Sequence, residues 1–316
     1  MSELIDIKTY PLRDVLTILL RDKTTKQNII WATDAYESYG PEFTDRSHIS
    51  KSAITGPFSI VLQPRISKTL EEQQERTRKK AEVMTPVWLC NKMNNYADEQ
   101  WFGRPDVFNH ENEDNSWTVT EGPILFDEKN TWKAYVDSRR LEITCGEAPY
   151  LVSRYDTTTG ELIVPPIRRI GMLDRKLRVV NENAATEDEW LKWAERAVQS
   201  CYGFEWQGDS LLLARCNVFL TYYEYYKQRW NKEPDKKLMQ HIAGIISWNI
   251  WQMDGLKDTV PLGKPVQEYE QTSLFDLYPE LMMAETQEVD DKAPYCRIYD
   301  WRADRTYEYR KCKERG

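Results

Sequence analysis

The chain has 316 residues, of which 41% are hydrophobic and 30% charged. That is enough for a sizeable buried core and excludes a disordered tail, a collagen-like repeat or a disulfide scaffold. Its 43 basic and 51 acidic residues give a net charge of −8, the opposite of the basic footprint with which a lone nucleic-acid binder neutralises phosphates. Six cysteines without a CxxC pair, with only His48, His110 and His241 beside them, make no zinc framework. Uncharged stretches such as His241 to Met253 fall short of the about 18 apolar residues of a membrane span, and the start MSELIDIKTY lacks the apolar core of a secretory signal. A cytoplasmic protein without membrane contact or metal is expected. Twelve Trp and 18 Tyr point to a dense core or to a large protein interface.

In chain order, residues 1–64 read as a small α+β extension. It has a short helix over Asp14 to Arg21, a strand over Asn28 to Thr33 and another over Ser59 to Leu62. Leu70 to Lys80 (LEEQQERTRKK) is a charged helix with Glu72/Arg76 and Glu75/Lys79 at the supportive i, i+4 spacing. It is either a solvated face or, through Arg76, Arg78, Lys79 and Lys80, a basic edge for a nucleic-acid backbone. Glu82 to Met93 takes a helical apolar period, with Thr85 as N-cap and Pro86 at the first helical position. After the polar stretch Asp106 to Ser116, a strand is expected over Arg140 to Thr144, running into CGEAPYL. Thr186 and Glu189 form a capping box that opens a helix to about Ser200, with Gly203 as its stop. Helices follow over Ser210 to Arg229 and Asp235 to Ile246, with strands over Tyr202 to Gln207 and Asn249 to Met253. The tail, Tyr295 to Arg310, alternates as a hairpin around Ala303 and Asp304.

Strand, glycine turn, helices, strand, helices, strand is the rhythm of a doubly wound α/β sheet, whose ligands bind at the carboxyl ends of the strands. Cys145 and Gly146, Glu205, and Asp254 with Gly255 all fall at such ends. On these residues the chain resembles the adenine-N6 DNA methyltransferases of restriction-modification systems, in the γ-type motif order. AEVMTP (Ala81 to Pro86) is similar to the segment that opens a helix before the first strand, and EITCGEAPYL (Glu142 to Leu151) to the glycine-containing end of that strand. YGFEWQGDSLLLAR supplies the acidic residue of the second strand, Glu205, and NIWQMDGL (Asn249 to Leu256) is similar to a later N-x-x-x-x-D-x-L segment. The resemblance covers roughly residues 76 to 260.

It implies an incomplete Rossmann-like fold that binds S-adenosylmethionine over residues 65–268, followed by a linker and β-hairpin over 269–316. Thr85 and Pro86 would cover the methionine end. The turn of Glu142, Thr144, Cys145, Gly146, Glu147, Ala148 and Tyr150 would approach it through backbone amides. Glu205, beside Trp206, would accept the ribose hydroxyls, and Asp254 with Gly255 would receive the adenine amine. Ala148 replaces the family's second glycine, Pro149 stiffens the turn, and a long insertion that includes Asp156 to Gly171 precedes Glu205. The largest departure is the family's Asp/Asn-Pro-Pro-aromatic loop, which holds the flipped adenine. Here Pro165-Pro166 is flanked by Val164 and Ile167, and Asp291 to Tyr295 (DKAPY) resembles the loop only faintly.

No catalytic residue is therefore expected in this chain. The resemblance implies the cofactor-binding subunit of a two-chain enzyme that is active in complex, with a partner subunit supplying the catalytic loop and the recognition of double-stranded DNA. A catalytically inactive regulatory or interaction subunit is the alternative. CGEAPYL also reads as a plain strand-to-helix turn, Glu205 as a surface carboxylate and Asp254-Gly255 as a turn closing a strand. Cys145 has no histidine in its motif to activate it and reads as a buried small residue. The run Phe219, Tyr222, Tyr223, Tyr225, Tyr226 and Trp230 covers more than one helix face, part of it core and the remainder expected to meet a protein partner.

Overall fold

A computed structural model describes residues 4–80, 84–265 and 292–313. Helix α1 (Leu12–Leu19) is followed by the short α2 (Lys51–Thr55), the charged α3 (Leu70–Lys80) and α4 (Val87–Phe102). The expected polar stretch contains a small antiparallel hairpin, β1 (Asn109–Glu111) with β2 (Trp117–Val119), and then α5 (Trp132–Asp137) leads into β3 (Arg140–Glu142). Helices α6 (Met172–Asn183) and α7 (Glu187–Gln199) cross to β4 (Cys201–Glu205), and α8 (Gly208–Trp230) and α9 (Lys236–Asn249) cross to β5 (Ile250–Gln252). Beyond them lie the two-residue strands β6 (Lys264–Pro265) and β7 (Lys292–Ala293), the hairpin of β8 (Arg297–Asp300) and β9 (Arg305–Glu308), and α10 (Tyr309–Lys313). The protein is mixed α/β. Its central sheet is parallel, in the order β3-β4-β5, with Arg140 opposite Cys201 and Gly203 opposite Ile250.

Local chemistry accounts for these elements. Thr186 accepts the amide of Glu189 at 3.2 Å while the Glu189 carboxylate takes the amide of Ala185, so the capping box forms. Asp235 caps α9 through the amide of Leu238. Helix α8 is buried nearly all round, so the aromatic run Phe219, Tyr222, Tyr223, Tyr225 and Tyr226 is core and only Trp230 is partly exposed. Of the face expected to meet a partner only Trp230 is left partly open, because α1, α6 and α9 pack around the helix. Residues from Ile5 to Leu62 belong to the same buried cluster as α6, α8 and α9.

Five expectations change. Gly203 does not stop α7, which ends at Gln199 with Ser200 as its C-cap; it lies inside β4. Asn28 to Thr33 makes only isolated bridges, Arg21 to Asn28 and Ile30 to His48, because the Gln252 side chain takes the backbone of Ile30 and Ala32 turns at φ 50°. Ser59 to Leu62 forms no strand. Ile60 and Leu62 are buried as anchors, and the Ile60 amide bonds back to Ala53. Pro86, at ψ 144°, is itself the N-cap of α4, so Thr85 lies outside the helix, which runs on to a left-handed Gly103. Arg76 is buried rather than on a solvated or nucleic-acid-facing edge. Its guanidinium meets Asp209 at 2.8 Å and Gln207 at 3.0 Å. Burial alone would favour a protonated Asp209, but Arg76 and Lys68 outweigh it and hold the carboxyl well below the usual range.

Arg215 on α8 ties the layers together. Fully buried, it donates to the carbonyls of Ile250 (2.7 Å), Arg21 (3.1 Å), Ser247 (3.2 Å) and Leu19, which lie on β5 and at the ends of α1 and α9. An unpaired buried carbonyl costs about 1–3 kcal/mol. Arg215→Leu is therefore expected to lose at least about 3 kcal/mol in urea unfolding, and a midpoint equal to that of the parent would show that these bonds are dispensable.

Candidate functional site

Strand β3 is the edge of the parallel sheet, and its carboxyl end runs into a turn in which Thr144 (φ 47°), Gly146 (φ 53°) and Ala148 (φ 66°) are all left-handed. For a β-branched threonine this region is strained, and such strain persists only where the surroundings fix it. Two buried carboxyls do so. Glu142 accepts the amides of Tyr150 (3.3 Å) and Leu151 (3.1 Å), while Glu205 accepts those of Gly146 (2.9 Å) and Gln207 (3.1 Å). Behind the turn, the Cys145 amide bonds to the carbonyl of Phe204 at 2.8 Å, joining it to β4.

A groove of about 520 Å³ opens between this turn, β3 and α4. Such a volume suits a small-molecule ligand. Of the thirteen residues singled out by sequence, six line it: Thr85, Glu142, Thr144, Cys145, Gly146 and Tyr150. None of the remaining wall stood among those thirteen: Met84, then Met93, Asn94 and Ala97 from α4, Arg140, Leu141 and Ile143 along the end of the strand, Pro149 and Leu151 beside the turn, and Met172 from α6. Met93 and Ala97 follow the i, i+4 spacing of one helix face, the one signal that could have grouped them. Asn94 fixes the groove, donating to the carbonyls of Tyr150 (3.0 Å) and Ile170 (2.9 Å), and Thr157 holds the carbonyl of Thr85 at 2.9 Å.

The other seven lie outside the groove. Pro86 starts α4, and Ala148 is buried in the core beneath the turn. Glu147 turns away to the Arg65 amide (2.6 Å) and the Tyr155 hydroxyl (2.5 Å). Glu205 sits behind the turn with both oxygens on backbone amides. Trp206 donates its indole N–H to Ala32 at 3.0 Å. Asp254 caps its own turn through the amides of Leu256 and Lys257, and Gly255 is where a Cβ would come within 2.9 Å of the Phe204 ring. Beyond the carboxyl ends of β4 and β5, where a doubly wound sheet would take its ligand, the chain's own residues 30–32 are packed. Gln252 grips both backbone groups of Ile30 at 3.0 and 2.8 Å, Gly208 donates to Trp31 at 2.8 Å, and a Cβ on Gly208 would stand 1.9 Å from the Ile30 carbonyl. Pro165-Pro166 opens a short 3-10 turn, and the carbonyl of Pro166 accepts the Tyr225 hydroxyl at 3.0 Å.

Burial dominates the site's titration. It pushes Glu142 up to about 8 against the pull of the two amides, with Glu205 adding in the same direction, and it raises Glu205 as well. Burial, then Glu142 and Glu205, push the Cys145 thiol well above its ordinary value, so it is no nucleophile. Among the described residues no group of His, Cys, Asp and Glu could hold a metal, and no helix is long and apolar enough to cross a membrane. Compared with known proteins, the chain matches no family model, no curated protein and no solved structure.

A carboxyl raised on folding holds its proton in the native state after the unfolded chain has lost it. The contribution of Glu142 to stability is thus full below the ordinary carboxylate range and drains away as pH rises through about 8. Glu142→Gln, which cannot ionise, is expected to flatten the fall in urea midpoint between acidic and mildly alkaline pH. Parallel pH profiles for the two proteins would contradict it.

Proposed function

We propose that the groove beside the strained turn binds S-adenosylmethionine, and that the chain is the cofactor-holding subunit of a two-chain DNA adenine-N6 methyltransferase. In this reading the parallel sheet is one half of a doubly wound, Rossmann-like fold, and a partner subunit brings the catalytic loop and the recognition of double-stranded DNA. The observation that carries it is the turn Thr144 to Ala148. Three left-handed residues, held by two buried carboxyls, border a groove of ligand size.

The groove fits such a ligand in part. Thr85 and Thr144 bring hydroxyls, Met84, Met93 and Tyr150 bring apolar surface, and the turn allows close approach. Glu205 does not fit the role of ribose acceptor, because one of its oxygens holds the turn at Gly146 and the other the amide of Gln207 at the start of α8, and both Glu205 and Asp254 lie outside the groove. The cofactor, when bound, supplies an activated methyl group. This chain's residues orient it along β3 and keep water from its apolar side. The sealed carboxyl ends of β4 and β5 favour the second reading, a methyltransferase-like regulatory or interaction subunit that holds no cofactor.

Calorimetry separates the two. Titration of S-adenosylmethionine into the chain, alone and with the product of the adjacent reading frame, is expected to give saturable heat. Gly146→Asp, at a position where a Cβ meets only the Met84 side chain at 3.7 Å, is expected to weaken binding by about tenfold or more. No heat from either preparation, with intact folding, would leave the regulatory reading.

A further inference from the structure

The proposed cofactor groove leaves the C-terminal hairpin without a role, yet its chemistry departs from the rest of the chain. Residues 295–313 carry Arg297, Arg302, Arg305, Arg310, Lys311 and Lys313 against Asp300, Asp304 and Glu308. Six minus three is +3, in a chain of net charge −8. Aromatic residues are interleaved with these cations at Tyr295, Tyr299, Trp301, Tyr307 and Tyr309. The hairpin is fastened to the sheet by the Tyr202 hydroxyl, which donates to the carbonyl of Tyr299 at 3.2 Å, and by Tyr309, whose ring lies 5.2 Å from that of Trp251.

Between sheet and hairpin remains a cavity of about 430 Å³, lined by Tyr202, Trp251, Tyr307 and Tyr309 together with Arg139 and Lys311. The two cations are about half-exposed. Arg139 meets both oxygens of Asp300 at 3.2 Å and Lys311 meets Glu308 at 3.4 Å. Solvated pairs of this kind contribute about 0–1 kcal/mol, so they aim the cations without removing them from a better anion. Aromatic faces give a flat ring a stacking surface worth about 1–3 kcal/mol per base, and a phosphate is an anion that Arg can meet with two parallel hydrogen bonds and Lys as a point charge.

We propose that this cavity binds a nucleotide, its base among the tyrosines and its phosphate on Arg139 and Lys311. The two cavities share Arg140 and Leu141 of β3 in their walls, but none of the residues that would hold the nucleotide belongs to the cofactor assignment above. The same chemistry is offered by a free nucleotide and by one unit of a single strand, and the test distinguishes them. The full-length protein is titrated with dAMP, with short oligo(dA) and with inorganic phosphate, while intrinsic fluorescence and the rate of Cys312 alkylation by iodoacetamide are followed. Cys312 lines the cavity and is the one exposed cysteine among the described residues.

Saturable quenching with slowed alkylation is expected, weakening as salt rises. Lys311→Glu and Tyr307→Ala should each raise the dissociation constant by about tenfold or more without changing the melting temperature, and Lys311, being exposed, serves if the tyrosine variant fails to fold. Binding of both dAMP and oligo(dA) assigns a free-nucleotide site, and binding of oligo(dA) alone assigns a strand-binding site. The proposal is overturned if neither saturates, if phosphate alone protects Cys312 equally well, if Lys311→Glu leaves affinity unchanged, or if only a protein partner protects the thiol.

Discussion

One buried guanidinium sets the frame of this protein. Arg215 is wholly enclosed, and burial lowers its pKa to about 10, so it remains charged at neutral pH. Its hydrogen-bond partners are carbonyls rather than a carboxylate, and three of them, of Leu19, Arg21 and Ser247, lie where α1 and α9 end. Helix carboxyl ends carry partial negative charge, so a cation placed between two of them is stabilised where it would otherwise be costly. The fourth carbonyl, of Ile250, is the first residue of β5. In this way one side chain fixes the N-terminal extension against the sheet and fixes α9 against the strand that follows it.

The position of the candidate site follows from that frame. With the extension locked in place, residues 30–32 reach over the carboxyl ends of β4 and β5 and are held there by Gln252 and Gly208. What remains open is the edge, where β3 ends in a turn that the buried Glu142 and Glu205 hold in a left-handed conformation. The carboxylate that sequence placed on a ligand instead serves the protein's own backbone, and the groove beside it is lined by methionines, a tyrosine and threonine hydroxyls. Arg140 and the buried Glu142 line it too, so the site sets one guanidinium and one carboxyl beside its apolar surface.

Much of the fold was legible because its signals are local. The capping box at Thr186, the cap at Asp235 and the terminal hairpin rest on residues within a few positions of one another, whereas the parallel strands pair distant residues such as Arg140 and Cys201 and were legible through the strand-helix-strand rhythm. Helix α6 escaped notice because Asp174, Arg175, Lys176 and Arg178 break the apolar period that marks a core helix. All four are buried, and groups far away in sequence help to hold them, as Asp98 holds Arg175 at 2.6 Å, while Asp174 Oδ1 and Arg175 Nε keep no hydrogen bond. Arg76 misled for the same reason, since its charge pattern fits a solvated helix and its partner, Asp209, lies far away in sequence. Sequence grouped the turn correctly around Thr144, Gly146 and Tyr150, but it could not show that Asn28 to Thr33 would be taken up by a glutamine side chain and laid across the neighbouring strand ends.

In the proposed function the open groove at β3, and not the sealed ends of β4 and β5, holds the ligand. Hydrogen–deuterium exchange with and without S-adenosylhomocysteine tests it most directly. The account predicts slower exchange over residues 143–151 and 84–97, with 205–209 and 252–257 unchanged. Protection confined to the second set, or none in either, would contradict it.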